Sequence, residues 1–390
     1  MKKKIKVLRI ITRLNIGGPA IHTVLLNAKL DSEKYESFLV AGRIESHESD
    51  MSYFADKYNI KPIYVSNMSR ELRPSQDWHA FWEIYKIIRK VKPDIIHTHT
   101  AKAGVLGRLA AFIANVPIII HTFHGNVFKG YFGKAKTNFF IFMEKLLSLV
   151  STRIIVICKK QKQELLDLKI ASIKKIKVVP LGFEFKNFLP THEDKGLFRV
   201  QFNIPKEARL IGIIGRLASI KNHVLFLDIA EIISKKYGNI YFPIIGDGEL
   251  RNKLKEEIKC RKIEEHVFIT GFIKNLKPVY ADMDLVLLTS HNEGTPVAII
   301  EAMACGKIVI STNVGGIEDF IDNRKNGFYF NKNELKPFVK EIEKWLNHER
   351  DYKSIKEKAK ERIKKIFSAQ RLINDIENIY SELIERRRYS

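Results

Sequence analysis

Residues 285–311 restrict the fold of this chain more than any other stretch. The apolar run 285–288 predicts a buried strand, and the apolar run 308–310 predicts a second one. Between them lie a polar loop and a helical pattern from 296 to 305. This order of elements is one unit of a parallel α/β sheet. Its helix begins at the carboxyl edge of the sheet, where open α/β sheets bind their ligands.

Turn chemistry predicts both ends of this helix. Thr295 is typical of an N-cap, and Pro296 is typical of the first helical position, where a missing N–H costs nothing. Gly306 is typical of a helix end. The first backbone N–H groups and the positive dipole end favour an anion there, although the dipole alone contributes only ~0.3–1 kcal/mol.

Two acids flank the predicted helix start. Glu293 lies in the loop before it, and Glu301 lies on the helix with seven residues between the two. Glu301 follows Val297 by four residues, so it faces the same side as the first helical turn. An ordinary strand–helix loop with a capping acid would also contain such a pair. Two acids around a Thr-Pro helix start are the sharper signal of a binding site.

Strand and helix patterns alternate along the whole chain, which predicts doubly wound parallel sheets. A length of 390 residues suggests two or three domains. The pattern restarts after a polar segment at 190–195, which is suited to a linker.

Glycine turns follow three of the predicted strands. Gly17 and Gly18 come after the first strand, and Gly246 comes after the strand 240–245. Glycine lets the backbone approach a ligand closely. The third turn, Gly215 onward, also carries Arg216 and Lys221. A planar guanidinium and a compact ammonium are both suited to bind phosphate oxygens.

These motifs resemble the retaining glycosyltransferases of family 4. Glu293…Glu301 matches their E-x7-E signature, and Gly215-Arg216…Lys221 matches their phosphate motif. The resemblance implies an α/β fold of the GT-B type. That fold has two Rossmann-like, doubly wound parallel-sheet domains facing a cleft and a C-terminal helix that crosses back.

The resemblance also implies a domain plan. Residues 1–185 would form an acceptor-binding Rossmann-like domain, and residues 186–367 would bind the nucleotide-sugar. Residues 368–390 would form a helix that packs back on the first domain.

Roles for single residues follow from the same resemblance. Arg216 and Lys221 would bind the diphosphate, Glu301 the ribose hydroxyls and Glu293 the donor-sugar hydroxyls. We favour attack on the same face of the sugar over a covalent intermediate on Glu293. We expect no cofactor and no essential metal. The implied catalytic residues are Glu293 and His124, and the implied donor-binding residues are Gly17, Gly18, Arg216, Lys221, Gly246, Ile273, Gly294, Thr295, Pro296, Val297 and Glu301.

Histidines end two neighbouring strands of the first half. His97 and His99 follow one strand, and His121 and His124 follow the next, so several imidazoles should meet at one sheet edge. A metal site is conceivable there, but no nearby acid or cysteine completes it. The resemblance favours His124 as a contact to the donor sugar, with His99 as a weaker candidate.

A D-x-D pair precedes the strand 285–288. Asp282 and Asp284 match the metal motif of the other large glycosyltransferase fold. We expect Asp282 to cap the preceding short helix instead of binding a metal.

The stretch 123–142 interleaves seven aromatic residues with three lysines. Such a pattern suits an interfacial segment on an anionic membrane, and it suits a single-stranded nucleic-acid platform less well. Aromatics in the core beneath a solvated lysine face would explain it equally. The residues concerned are Phe123, Phe128, Lys129, Tyr131, Phe132, Lys134, Lys136, Phe139, Phe140 and Phe142.

The net charge of +23 favours polyanionic partners such as nucleotide-sugars or an anionic membrane. A lysine-rich proteome would produce the same charge. Three widely spaced cysteines predict a reducing, cytoplasmic environment. The basic charge and the aromatic stretch add the expectation of a peripheral position on the inner face of the cell membrane. No apolar run is long enough for a transmembrane helix.

The resemblance implies a retaining enzyme that moves a hexose or hexosamine from a nucleotide-sugar, and we expect a UDP-sugar. The acceptor would be a saccharide, and a lipid-linked saccharide of surface polysaccharide synthesis is our first choice. Two alternatives stay open: a nucleotide-sugar 2-epimerase of the same fold, and a non-enzymatic basic protein that binds polyanions. We expect no nucleic-acid partner.

Overall fold

The computed structural model describes residues 3–15, 17–45, 50–125 and 133–388. The chain forms two compact units. The first contains Met1–Phe183 together with Ala369–Ser390, and the second contains Glu184–Ser368.

The first unit is built on a seven-stranded sheet in the order β3-β2-β1-β4-β5-β6-β7, in which every pair of neighbours is parallel. Its strands are β1 (Ile5–Arg13), β2 (Tyr35–Gly42), β3 (Ile63–Val65), β4 (Ile95–His99), β5 (Ile118–Phe123), β6 (Arg153–Val156) and β7 (Ile176–Val178). The helices in the segment of this unit that ends at Phe183 are α1 (Gly18–Lys29), α2 (Ser52–Asp56), α3 (Pro74–Val91), α4 (Ala101–Ile113), α5 (Lys134–Val150) and α6 (Lys159–Asp167).

The second unit repeats this plan with six parallel strands in the order β10-β9-β8-β11-β12-β13. The strands are β8 (Arg209–Ile214), β9 (Ile240–Ile245), β10 (Val267–Gly271), β11 (Leu285–Leu288), β12 (Ile308–Thr312) and β13 (Phe328–Phe330). The helices are α7 (Leu197–Gln201), α8 (His223–Lys236), α9 (Arg251–Cys260), α10 (Lys277–Asp282), α11 (Val297–Ala304), α12 (Ile317–Phe320), α13 (Leu335–Asn347) and α14 (Lys353–Phe367).

Apolar side chains on both faces of each strand explain why helices cover both sides of the sheets. In β1, Val7 packs with residues of α1, whereas its neighbour Leu8 packs with residues of α3 and α4 on the other face. All four residues of β11 are buried. Strands that are buried on both faces are typical of parallel sheets.

The last helix, α15 (Ala369–Arg388), belongs to the first unit. Its residues Leu372 and Ile376 are fully buried and share an apolar cluster with Val7 of β1. Tyr380 is also fully buried, and its hydroxyl accepts a hydrogen bond from Arg9 at 3.3 Å and lies 2.7 Å from Nδ1 of His97. The helix therefore completes the core of the first unit with both apolar and polar contacts.

The structure corrects the predicted start of the helix after β11. Pro296 is the N-cap residue, and its ψ of 104° is extended, so α11 begins at Val297, one residue later than predicted. Thr295 makes no capping hydrogen bond to the helix. The predicted end is confirmed, because Gly306 follows the helix with a φ of +70°, which favours glycine.

The expected role of Asp282 is wrong. Its carboxylate does not cap the helix that precedes it, because it accepts hydrogen bonds from the backbone N–H groups of Gly196 at 2.6 Å and Arg199 at 3.1 Å. Asp284 in turn accepts from the N–H of Leu210 at 2.9 Å. Both acids tie neighbouring segments of the second unit to β8 and α7.

No helix within the described ranges is both long enough and apolar enough to span a lipid bilayer.

The contacts of Tyr380 lead to a stability prediction. Tyr380→Phe should lower the opening free energy of β1 and β4 by about 1–3 kcal/mol, because buried Arg9 and His97 lose a polar partner. Native-state hydrogen exchange of these strands measures it. The exposed Tyr64 of the same unit is the control, and Tyr64→Phe should cost less than about 0.5 kcal/mol. Equal losses in both variants would contradict the proposed polar contacts.

Candidate active site

The loops that follow β8, β9 and β11 are joined by backbone hydrogen bonds at the carboxyl edge of the second sheet. The N–H of Leu217 donates to the carbonyl of Asp247 at 3.0 Å, which links the first two loops. The N–H of His291 donates to the carbonyl of Ile220 at 2.8 Å, which links the first and third. These bonds set the positions of the predicted donor-binding residues.

Gly246 allows two of these loops to approach closely. It has a φ of +146°, and a Cβ at this position would lie 1.9 Å from the carbonyl oxygen of Gly215. Only glycine fits such a contact.

An ion pair joins two of the predicted site residues. Nζ of Lys221 donates to Oε1 of Glu293 at 2.6 Å, and the hydroxyl of Ser290 donates to the same oxygen at 2.7 Å. Both side chains of the ion pair are mostly buried, with 21% and 14% exposed. The position of the Glu293 carboxylate is therefore set by two donors from different loops.

Arg216 lies further toward solvent than Lys221. Its guanidinium pairs with Glu249 at 3.0 Å, and 59% of its side chain is exposed. Although the two cations come from one loop, the described contacts do not hold them together.

The segment Gly294, Thr295, Pro296 and Val297 leads into the first turn of α11. The carbonyl of Gly294 accepts a hydrogen bond from the N–H of Gly316 at 2.7 Å. The hydroxyl oxygen of Thr295 is buried and has no hydrogen-bond partner among the described residues. Ile273, the predicted contact to the base, lies two residues beyond β10 and is half-buried.

Glu301 projects from α11 into a poorly solvated environment. The hydroxyl of Tyr280, a fully buried residue, donates to Oε2 of Glu301 at 2.8 Å. Burial raises the pKa of Glu301 to about 7, and this hydrogen bond opposes part of the rise. The carboxyl therefore changes its charge near neutral pH.

The predicted gathering of histidines is present in the first unit. Nδ1 of His99 lies 3.0 Å from Nε2 of His124, at the ends of β4 and β5. His97 and His121 make other contacts, with Thr122 and Thr98 respectively, both at hydrogen-bond distances. Burial lowers the pKa of His124 to about 3, so its imidazole is neutral.

The cluster includes a histidine that we did not predict. His22 lies on α1, which begins at Gly18 after the N-cap residue Gly17. Its ring centroid is 4.9 Å from that of His124 and 5.6 Å from that of His99.

Two family models match this chain. A model of glycosyltransferase family 4 matches residues 16–186, and a model of the group 1 glycosyl transferases matches residues 194–362. The chain belongs to glycosyltransferase family 4. It is therefore an enzyme of the transferase class, which rules out the non-enzymatic polyanion-binding alternative.

Two relatives and one solved structure are similar to this family 4 enzyme over most of its length. The chain is 25% identical over 329 residues to UDP-Gal:alpha-D-GlcNAc-diphosphoundecaprenol alpha-1,3-galactosyltransferase of Escherichia coli, covering 84% of this chain and 85% of the relative. It is 28% identical over 345 residues to the capsular polysaccharide biosynthesis glycosyltransferase CapM of Staphylococcus aureus, covering 84% and 87%.

The solved structure is HepE of Anabaena in complex with UDP. It superimposes with a TM-score of 0.81 at 18% identity, and the match covers 97% of this chain and all of that one. The shared fold is GT-B, as predicted.

Sequence reasoning about this glycosyltransferase missed three polar residues beside the predicted ones. Ser290 precedes Glu293 by three residues in the same loop, so its proximity was readable from spacing. Tyr280 and His22 lie in other elements, and only packing brings them to Glu301 and His124.

The raised pKa of Glu301 predicts a pH-dependent stability. The unfolded chain ionises this group near pH 4.5, so the folded enzyme holds an extra proton between about pH 4.5 and pH 7. Stability from this group therefore falls as pH rises through that window.

Glu301→Gln removes the ionisation. Between pH 5 and pH 8 the free energy of unfolding of the variant should rise by on the order of 2 kcal/mol relative to that of the wild type. The difference between their unfolding temperatures should grow accordingly. For Glu256→Gln, at an exposed site on α9, the difference in unfolding temperature from the wild type should stay constant over this pH range. A constant difference for Glu301→Gln as well would contradict the burial of its carboxyl.

Proposed function

We propose that this enzyme transfers a hexose or hexosamine from a UDP-sugar to a saccharide or lipid-linked acceptor, with retention at the anomeric carbon. The names of the relatives support this proposal. One uses UDP-galactose and a diphosphoundecaprenol-linked acceptor, another serves capsular polysaccharide synthesis, and HepE was solved with UDP.

The ion pair between Lys221 and Glu293 is the observation on which the proposal depends. An ammonium has three donors, and Glu293 accepts one of them. The other two can bind oxygens of the diphosphate, with Arg216 adding a planar fork from the more exposed side. The first N–H groups of α11 supply further donors, because they have no partner within the helix.

Glu301 is suited to hold the ribose. Tyr280 occupies only Oε2, so Oε1 remains to accept hydrogen bonds from sugar hydroxyls. A carboxylate that accepts from hydroxyls is stabilised in its charged form, so ligand binding should favour ionised Glu301.

Glu293 is better suited to orient the donor sugar than to attack it. Oε1 accepts from both Lys221 and Ser290, which sets the direction of the carboxylate. We propose that the leaving diphosphate oxygen deprotonates the acceptor on the face where the leaving group departs. Lys221, Arg216 and the helix end stabilise the charge that develops on the diphosphate.

His124 is our proposed donor-sugar contact from the first unit. Nε2 of its neutral imidazole is paired with His99 at 3.0 Å, which leaves Nδ1 for a hydroxyl group of the sugar. Gly17 and Gly18, at the start of α1, keep their proposed role of close backbone approach to the donor.

A nucleotide-sugar 2-epimerase, the other enzyme that we considered from the sequence, differs from a transferase in its reaction. It would convert a UDP-sugar with no acceptor present, whereas a transferase requires one. Proton NMR of the reaction distinguishes them, because a retaining transfer preserves the anomeric configuration in a new glycoside.

Lys221→Ala tests the phosphate site. In a thermal-shift panel of UDP, GDP and ADP without added metal, we expect UDP to stabilise the wild type most. The variant should bind UDP about 10- to 100-fold more weakly, because it loses a charge-assisted hydrogen bond.

Lys235→Ala is the matched control. Lys235 also pairs with a glutamate, Glu231, at 2.6 Å, but on the exposed surface of α8. This variant should bind UDP as the wild type does. If no nucleotide raised the unfolding temperature of the wild type, the donor proposal would be overturned.

We also propose that α5 contacts an anionic membrane surface. Four apolar side chains form an exposed stripe along this helix: Phe139 (59%), Phe142 (57%), Leu146 (45%) and Leu149 (74%). Their spacing of three and four residues places them on one face. Leu147 is buried on the opposite face. The predicted residues Phe128, Lys129, Tyr131 and Phe132 lie outside the described residues.

Charge favours a lipid surface as the partner of this stripe. The exposed Lys134 and Lys136 lie at the start of α5, and the whole chain carries a net charge of +23. Rings and alkyl groups at headgroup depth with cations on lipid phosphates are typical of interfacial helices.

Sedimentation with anionic liposomes tests the membrane contact. Phe139→Ser with Phe142→Ser should reduce the bound fraction several-fold, because two exposed rings leave the apolar stripe. Leu197→Ser with Val200→Ser is the control, since these residues are 52% and 77% exposed and equally spaced on α7. Equal binding by both double variants would contradict a role for α5.

A further inference from the structure

His22, His99 and His124 form a compact group at the carboxyl edge of the first sheet. One ring nitrogen from each residue lies within 4.8 Å of those of the other two. His22 and His99 are 1% and 0% exposed, and His124 is half-buried. The three come from separate elements, α1, the end of β4 and the segment after β5.

Most ring nitrogens of this group lack a partner. Among the described residues, neither nitrogen of His22 has a hydrogen bond, and neither has Nε2 of His99 or Nδ1 of His124. Leaving a polar atom buried without a hydrogen bond costs about 1–3 kcal/mol. Four such atoms at one place give the group capacity for a further polar partner.

The donor set suits a metal cation. The group consists of three imidazoles, and each can offer one nitrogen lone pair to an ion. Neutral imidazole is the form that binds transition metals.

We propose that His22, His99 and His124 bind a borderline transition-metal ion such as Zn²⁺, with one nitrogen from each ring and a fourth position left open. Imidazole suits zinc, cobalt, nickel and copper, whereas Mg²⁺ and Ca²⁺ prefer oxygen ligands. The group contains no carboxylate, so Mg²⁺ should not bind. From the sequence a metal site was conceivable but incomplete, because no acid or cysteine lies near the strand-end histidines. His22 supplies the third ligand from α1.

Little movement is needed to form this site. A zinc–nitrogen distance of about 2.0–2.1 Å requires tetrahedral ligands to lie roughly 3.3 Å apart. Nδ1 of His99 and Nε2 of His124 already lie 3.0 Å apart, and the ion would replace the hydrogen bond that they share. His22 must approach them, and both of its nitrogens are without a hydrogen bond to break within the described ranges.

The effect of a bound ion on catalysis rests on the proposed function. A metal ion bound through Nε2 of His124 would place a cation beside the imidazole that we propose as a donor-sugar contact. We expect the ion to inhibit transfer.

Binding is tested without reference to activity. Purified, metal-free protein is titrated with Co²⁺, and its visible absorption reports four-coordinate nitrogen ligation. The bound Zn²⁺ is then counted by competition with a chromogenic chelator. We expect one tight site per chain, displacement of Co²⁺ by Zn²⁺, and no competition from a large excess of Mg²⁺.

Two variants locate the site. His22→Gln should weaken Zn²⁺ binding at least 10-fold and abolish the visible Co²⁺ band. His79→Gln, at an exposed histidine on α3 of the same unit, should change neither. Circular dichroism and UDP binding confirm that both variants fold.

X-ray absorption at the zinc edge of the loaded wild type gives an independent result. Three imidazole nitrogens in the ligand sphere would support the proposal. A ligand sphere of oxygen or sulfur, or unchanged binding in His22→Gln, would overturn it. Loss of UDP binding with intact Zn²⁺ binding would instead affect only the proposed function.

Discussion

Parallel strands that are buried on both faces impose the organisation of this enzyme. Each such strand must be followed by a crossover helix, so the loops that join strand to helix all emerge at one edge of the sheet. In the second unit these loops bring Lys221, Ser290 and Glu293 together. In the first unit they bring His99 and His124 together. The chemistry of both units depends on this single topological constraint.

Within the second unit, electrostatics and glycine geometry support one another. Gly246 lets the β9 loop lie against the carbonyl of Gly215, and that contact positions the loop that carries Lys221. Lys221 then directs Glu293, while Tyr280 directs Glu301 from beneath α11. The two acids of the E-x7-E signature therefore have different environments. Glu293 is paired with a cation, whereas Glu301 is paired with a neutral hydroxyl in poorly solvated surroundings.

Much of this was readable along the chain because it is local. Apolar runs marked the strands, and Gly306 marked the end of α11. The spacing of the motifs indicated the family. Local rules failed where neighbouring segments compete for a residue. Asp282 binds the backbone of Gly196 and Arg199 instead of its own helix, and the extended ψ of Pro296 delays α11 by one residue.

The sequence by itself determined the class of fold, the positions of its strands and the acids and cations of the donor motif. These depend on residue type and short-range spacing. Only the tertiary structure decided which side chains meet across long separations. Tyr380 reaches His97 and Arg9, Tyr280 reaches Glu301, and His22 joins two strand-end histidines. Such contacts follow from the packing of whole helices on a sheet, which no local pattern encodes.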